Sequence, residues 1–151
     1  MLSITPFLWF DTQAEQAMRF YASIFPRARE IAVHRAGDAV ISVTFELEGQ
    51  RFMALNAGPR YQFTEAISFF VSCETQQEID ELWTKLLAHG GSPSGCGWLK
   101  DQFGLSWQIV PSVLGRLLGD PDREKSGRAM QAMLAMQKLD IAALQRAFDG
   151  R

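Results

Sequence analysis

GWLKDQFGLSWQIVP, at residues 97–111, is the stretch that says most about the fold. It predicts two short strands joined by a turn at residues 100–104. The second strand alternates between apolar positions and polar, uncharged positions. The apolar set is Leu105, Trp107 and Ile109, and the polar set is Ser106 and Gln108. Because successive side chains of a strand point to opposite faces, this pattern fits a sheet that packs a helix on one side and lines a cavity on the other.

The composition is that of a folded globular domain, with 47% hydrophobic and 21% charged residues in 151. The net charge of −2 and the scattered lysines and arginines give no reason to expect nucleic acid or a membrane as partner. The two cysteines, Cys73 and Cys96, lack a zinc-binding spacing. No apolar run reaches the roughly 18–20 residues of a membrane span, and the apolar N-terminus lacks a basic leader. We therefore expect a cytoplasmic location.

One order of elements, strand–helix–three strands (βαβββ), is predicted twice along the chain. The first copy comprises a strand at 4–10, a helix at 13–25, and strands at 28–34, 38–48 and 51–57. The second comprises a strand at 66–72, a helix ending at Gly90-Gly91, a short strand near 92–95 and the two strands described above. Capping boxes open both helices, Thr12 with Glu15 in the first and Thr75 with Glu78 in the second.

A helical extension follows Pro111. We predict a short helix at 113–118 and a longer one that starts at Asp120-Pro121-Asp122, with Asp120 as its N-cap. A final short helix follows the break at Leu139-Asp140. The extension carries several methionines, which we expect to pack the helices onto the domain or a partner subunit.

Several local motifs resemble one known family. They are PFLWFD at 6–11, FELEGQ at 45–50, FMALNAGP at 52–59 and CGWLKD at 96–101. With the repeated βαβββ order, they resemble the PhnB-like branch of the vicinal-oxygen-chelate superfamily. That superfamily includes glyoxalase I, extradiol dioxygenases and bleomycin-resistance proteins.

The resemblance implies an α+β fold in which two βαβββ modules form a curled, eight-stranded mixed sheet around a cleft, with C-terminal helices added. The whole chain, 1–151, would then be a single domain. Its parts are module 1 at about 1–58, module 2 at about 64–111 and the helical extension 112–151. The family resemblance also implies a homodimer. Many relatives carry the name 3-demethylubiquinone-9 3-methyltransferase, but this sequence has no glycine-rich strand-to-helix loop for S-adenosylmethionine.

Metal-using members of the superfamily hold their ion with four ligands, typically His, Glu, His and Glu, from the first and last strands of each module. The matching positions here are Thr5, Ala54 or Asn56, Ala66, and Gln108. None of them is an acid or a histidine, so we expect no metal site and no cofactor. We expect the two histidines to lie away from the cleft, His34 on an outer strand and His89 at a helix end.

By strand alternation, the cleft would be lined by aromatic residues and neutral hydrogen-bonding groups. The predicted ligand-binding residues are Thr5, Phe7, Trp9, Asn56, Ser68, Phe70, Ser106 and Gln108. Such a wall suits a small, flat, partly apolar molecule. The primary hypothesis is a metal-independent, PhnB-like protein that binds a small organic ligand. The alternatives are a metal-dependent lyase, isomerase or dioxygenase, and a non-catalytic dimeric scaffold whose cleft is filled by its own side chains.

Three further groups were weighed as chemical candidates. Lys100 and Asp101 are interpreted as a solvated charge pair in a turn, with a turn or subunit-contact role expected at least as often as catalysis. Cys96 is interpreted as a small, half-buried residue, because a reactive thiolate needs a base or a positive partner. Glu65, at the edge of a cleft strand, is expected to be exposed. No residue is assigned a catalytic role.

Overall fold

The structure of the protein is a computed structural model that describes residues 1–151. The chain forms two compact units, Met1–Phe63 and Thr64–Arg151. Each unit contains one strand–helix–three-strand module, so the predicted repeat is confirmed. No helix combines the length and hydropathy that crossing a membrane requires.

The first unit is a four-stranded mixed sheet packed against one helix. Its elements are β1 (Phe7–Phe10), α1 (Ala14–Ile24), β2 (Ala28–Ala36), β3 (Ala39–Leu47) and β4 (Gln50–Asn56). The strand order is β1-β4-β3-β2, with β1 parallel to β4 and the other neighbours antiparallel. Apolar residues at helical spacing give α1 one buried face, which packs on the sheet. The largest buried side chains of this core include Met18, Tyr21 and Phe45.

Helix α1 begins without the predicted capping box. Its N-cap is Gln13, which makes no side-chain capping bond. Instead, Oδ1 of Asn56 accepts a hydrogen bond from the N–H of Ala14 at 2.9 Å. The prediction at Thr12 is therefore wrong, because a side chain at the end of β4, distant in sequence, satisfies the first turn of the helix.

The second unit repeats this architecture and adds three helices. Its module consists of β5 (Ser68–Cys73), α2 (Gln76–Leu87), β6 (Ser92–Pro93), β7 (Trp98–Lys100) and β8 (Ser106–Pro111). The strand order is β5-β8-β7-β6, with β5 parallel to β8. The predicted N-cap of α2 is confirmed, since Thr75 Oγ1 accepts from the N–H of Glu78 at 3.2 Å, while the Glu78 carboxylate accepts from the N–H of Glu74 rather than of Thr75. Helix α2 packs on β5, β7 and β8.

The turn between β7 and β8 is held by Asp101, which is buried. Its Oδ1 accepts hydrogen bonds from the N–H of Phe103 at 2.8 Å and of Leu105 at 3.1 Å. Its Oδ2 accepts one from Trp107 Nε1 at 2.9 Å. The expected turn role is therefore confirmed for Asp101, whereas the interpretation of Asp101 and Lys100 as a solvated charge pair is wrong, because the Asp101 carboxylate is directed into the turn rather than to solvent.

The C-terminal extension contains α3 (Val113–Leu118), α4 (Arg123–Leu134) and α5 (Ile141–Asp149). These helices bury their own apolar cluster, which includes Leu117, Leu139 and Leu144. The extension is attached to α2 by Gln76, whose Nε2 donates to Leu139 O at 3.0 Å and whose Oε1 accepts from the N–H of Ile141 at 2.8 Å.

The N-cap of α4 differs from the prediction. Asp122 caps this helix by accepting from the N–H groups of Glu124 and Lys125. The predicted cap, Asp120, instead accepts from the N–H of Asp122 at 2.8 Å. The prediction is wrong by two residues because two acids flank the proline and either one suits an N-cap in sequence.

Hydrogen bonds group the eight strands into two mixed sheets of four, one in each unit. The predicted α+β class, with two βαβββ modules and C-terminal helices, is confirmed. The predicted curl around a cleft and the single-domain organisation stay predictions.

Candidate functional site

One face of the second sheet brings together most of the polar residues predicted on its strands. Registered partners of adjacent strands point to the same face. The pairs Phe70 with Gln108 and Gln108 with Trp98 form one row, and Ser68 with Ser106 and Ser106 with Lys100 form the next. We call this surface the Gln108 face; its members are Ser68, Phe70, Trp98, Lys100, Ser106 and Gln108. The opposite face carries Leu99, Trp107 and Ile109, which are buried.

Gln108 is held in place at the centre of its row. Its Nε2 donates a hydrogen bond to Ser68 Oγ at 2.9 Å, across the parallel pair of β5 and β8. This bond leaves the Gln108 Oε1 as an acceptor and the Ser68 hydroxyl as a donor. Phe70 and Trp98 flank Gln108 in register, and Phe70 is 62% exposed. The row therefore presents an oriented amide between two aromatic side chains.

Ser106, in the adjacent row, carries an unsatisfied hydroxyl. It is 1% exposed, and its Oγ has no hydrogen-bond partner. A buried polar group without a partner costs about 1–3 kcal/mol, and most buried polar groups in native proteins are hydrogen-bonded to protein or ordered water. Register places Ser106 between Ser68 and Lys100. The Ser106 hydroxyl is therefore the group in this row that lacks a hydrogen-bond partner.

Lys100 provides the one cation of the Gln108 face. Its ammonium forms an ion pair with the carboxylate of Glu65, and both side chains are substantially exposed. The hydrogen bond from Lys100 is the largest of the effects that hold the pKa of the Glu65 carboxyl below its ordinary value. The predicted exposure of Glu65 is confirmed.

On the first sheet, Phe7 and Trp9 lie on one face with Met53 and Leu55, their registered partners on β4. Phe7 is 53% exposed. The Trp9 indole donates to Gly58 O at 2.9 Å, so Trp9 also anchors the loop that follows β4. Thr5 precedes β1 and is half-buried.

Asn56 lies on the opposite face of the first sheet. It is registered with Phe10, which belongs to the core face. The Asn56 amide accepts from Ala14 at the start of α1 and donates to Val40 O at 3.2 Å. The expectation that Asn56 shares a face with Phe7 and Trp9 is wrong. In the pairing of β1 with β4, Leu55 rather than Asn56 is the partner of Trp9, a difference of one residue from the expected register.

The residues at the superfamily's ligand positions do not fit a divalent-cation site. The Gln108 face offers hydroxyl, amide and ammonium groups, whereas catalytic metals prefer imidazole and carboxylate. Nowhere in the structure do three or more His, Cys, Asp or Glu side chains come together as a possible metal group. Both histidines, His34 and His89, are exposed.

The two thiols occupy different environments. Cys73 is buried at the end of β5, and desolvation raises the pKa of its thiol to about 11, so it is a poor nucleophile. Cys96 is half-buried, as predicted, and adopts a left-handed backbone conformation with φ of 59°. Its N–H donates to Met136 O at 2.8 Å, which gives the residue a role in attaching the C-terminal extension.

The sequence prediction missed Trp98 and Lys100 as neighbours of Gln108. The alternation along β7 could have indicated this, because Leu99 is apolar and points to the buried face. Trp98 and Lys100, on either side of it, point to the other face. The short strand gave too few positions for its face to be assigned before its register was known.

A family model described as 3-demethylubiquinone-9 3-methyltransferase matches residues 2–110. The chain belongs to this family. The predicted resemblance to PhnB-like proteins is thereby confirmed, and a structure from Bacillus cereus, described as a PhnB protein of this family, agrees. That protein shares 35% sequence identity with a TM-score of 0.68, and the match covers 74% of this chain and 100% of that one. No curated protein matches significantly. The family match ends before the extension 112–151.

More distant structures show the same fold. A glyoxylase/bleomycin resistance protein/dioxygenase domain from Frankia is 13% identical, with a TM-score of 0.51, over 74% of this chain and 92% of that one. The fosfomycin resistance protein FosX from Listeria monocytogenes is 18% identical, with a TM-score of 0.53, over 76% and 98%. These likenesses place the family within the vicinal-oxygen-chelate fold.

The family's name implies S-adenosylmethionine, and the residues present do not fit that group. The junctions between β1 and α1 and between β5 and α2 contain no glycine. A glycine-rich turn lets the backbone approach a nucleotide cofactor closely, and neither junction offers one. No chemical step is therefore derived through a methyl donor.

Proposed function

We propose that the protein is a metal-independent binding protein for a small, planar organic molecule, and that the ligand lies on the Gln108 face. The observation that carries this proposal is the row Phe70–Gln108–Trp98, in which a fixed amide with a free acceptor stands between two aromatic rings. Aromatic walls with a few convergent polar groups are typical of small-molecule sites.

The physical roles in this row differ. Phe70 is unusually exposed for a phenylalanine, and covering its ring would remove apolar surface from water. Stacking on an aromatic ring adds about 0.5–1.5 kcal/mol beyond the area buried. The Gln108 amide, fixed by Ser68, orients a donor group of the ligand, and specificity comes from that hydrogen bond. On the first sheet, Thr5, Phe7 and Trp9 are proposed as ligand-binding residues of their own unit.

The donor chemistry favours binding without metal over a metal-dependent lyase, isomerase or dioxygenase. The names of the two distant structures, which include resistance to fosfomycin and bleomycin, are consistent with a fold that handles small organic molecules. We also propose a homodimer, following the expectation from the family; multi-angle light scattering on the purified protein tests it.

A thermal-shift and calorimetric titration with 2-naphthamide tests the proposal. This neutral, planar probe should raise the melting temperature of the wild type. Phe70→Ala should weaken its binding by at least about 2- to 12-fold, the range that corresponds to the lost stacking alone, because the buried apolar area is lost as well. Leu134→Ala, an equally exposed apolar truncation on α4, is the matched control and should leave binding unchanged.

The contradicting results are equally specific. Equal affinity of the wild type and Phe70→Ala for the probe would show that the ligand does not bind on the Gln108 face. Stabilisation by Mn²⁺, Ni²⁺ or Zn²⁺, together with probe binding that requires the metal, would favour the enzyme alternative. The absence of any binding by planar probes would favour the scaffold.

A further inference from the structure

We infer that Lys100 forms a carboxylate subsite beside the planar-ligand site, so that the preferred ligands are planar molecules that carry a carboxylate. This inference rests on the proposed function and names the class of its ligand. Three independent observations on the row Ser68–Ser106–Lys100 carry it.

The first observation is that a carboxylate already occupies this place. The Glu65 side chain contacts the Lys100 ammonium from a segment of chain that precedes β5. Glu65 is 60% exposed and Lys100 43% exposed at their side chains, so the ion pair is weak in water and exchanges readily. A ligand carboxylate can replace that of Glu65 with no change in charge at the lysine. A single ammonium balances a carboxylate but not the double charge of a phosphate.

The second observation is the unsatisfied hydroxyl of Ser106. It lies next to Lys100 in register, it is almost completely buried, and it has no hydrogen-bond partner. A hydroxyl donates readily to a carboxylate, and such charge-assisted hydrogen bonds are the strong ones. Register thus places a buried hydroxyl donor in the same row as the Lys100 ammonium.

The third observation is the spacing between the two rows. Gln108 and Ser106 are two residues apart on β8, which separates their rows by about 7 Å along the strand. A fused bicyclic ring that lies over Gln108 spans this separation with a carboxylate on its edge. The aromatic row and the cationic row can thus contact one molecule.

Calorimetry with two matched probes, 2-naphthoate and 2-naphthamide, tests the inference. The wild type should bind the carboxylate about twofold more tightly than the amide, less than the roughly fivefold upper value for one exposed charge pair, because the new pair displaces the one with Glu65. Lys100→Met should abolish this preference, and Lys100→Arg should keep it. Glu65→Gln should strengthen 2-naphthoate binding about two- to fivefold without changing 2-naphthamide, because the competing carboxylate has gone.

Matched controls separate the subsite from general charge. Lys85→Met and Glu81→Gln make the same charge changes on α2, which packs on the opposite face of the sheet, and should leave the preference unchanged. If Lys100→Met keeps the wild-type preference, or Glu65→Gln weakens 2-naphthoate, the carboxylate subsite is overturned while Phe70-dependent binding of the amide stands. If neither probe binds through Phe70, the proposed function fails with it.

Discussion

Replacing Asp101 tests the account of the turn that joins β7 to β8. Its carboxylate accepts hydrogen bonds from the N–H groups of Phe103 and Leu105 and from the indole of Trp107, and the last two bonds are buried. Asp101→Ala would leave two buried donors without an acceptor, each at about 1–3 kcal/mol. We expect the free energy of unfolding to fall by about 3–5 kcal/mol.

Asp101→Asn separates the hydrogen bonds from the charge. An asparagine keeps one acceptor oxygen, which can retain the two bonds from Phe103 and Leu105, but its NH₂ group cannot accept from Trp107. The expected loss is about 1–3 kcal/mol, smaller than that of the alanine variant.

Urea unfolding followed by circular dichroism at 222 nm measures both changes as shifts of the midpoint at constant slope. Asp38→Ala is the matched control, because Asp38 is an exposed turn residue, and it should cost less than about 0.5 kcal/mol. The account of the turn is refuted if Asp101→Ala is no more destabilising than the control, or if the asparagine variant is as unstable as the alanine variant.

Two further predictions concern structural roles that the sequence did not identify. Asn56→Ala removes the acceptor that caps Ala14 and should cost about 1–2 kcal/mol in the same unfolding assay; a loss near zero would contradict the capping role. Gly97→Ala should destabilise more than Gly104→Ala, although both glycines have positive φ. A Cβ at Gly97 would lie 2.8 Å from Ile109 O, whereas one at Gly104 meets nothing within 4 Å. Equal losses in the two glycine variants would rule out the steric contact at Gly97.

Much of the fold was predictable because it is encoded locally. The alternation along β8 identified Leu105, Trp107 and Ile109 as the buried set, and helical spacing identified α1 and α2. Ser106 departs from the simple pattern, since it is buried although it alternates with the apolar positions. Whether both faces of the strand are buried at that point depends on the neighbouring strands and side chains. Alternation along one strand carries no information about these neighbours.

Within the candidate site, the assignment of side chains to strand faces was correct where residues share one strand. Ser106 with Gln108, and Ser68 with Phe70, were assigned to common faces, and strand register joins the two pairs. The prediction failed for Asn56 because its face depended on the phase of β4 relative to β1, and a one-residue difference moves every side chain to the other face.

The sequence by itself determined the order of elements, the family and the apolar faces of α1, α2 and β8, since these follow from spacing within a few residues. Tertiary structure decided which side chains work together. Asn56 and Ala14 are 42 residues apart, and Gln108 and Ser68 are 40 apart. Hydrogen bonds over such separations depend on strand pairing. The Asn56 amide, predicted to contact a ligand, therefore caps helix α1, and Lys100, predicted to lie in a turn, lies at the end of β7 in the row next to Gln108.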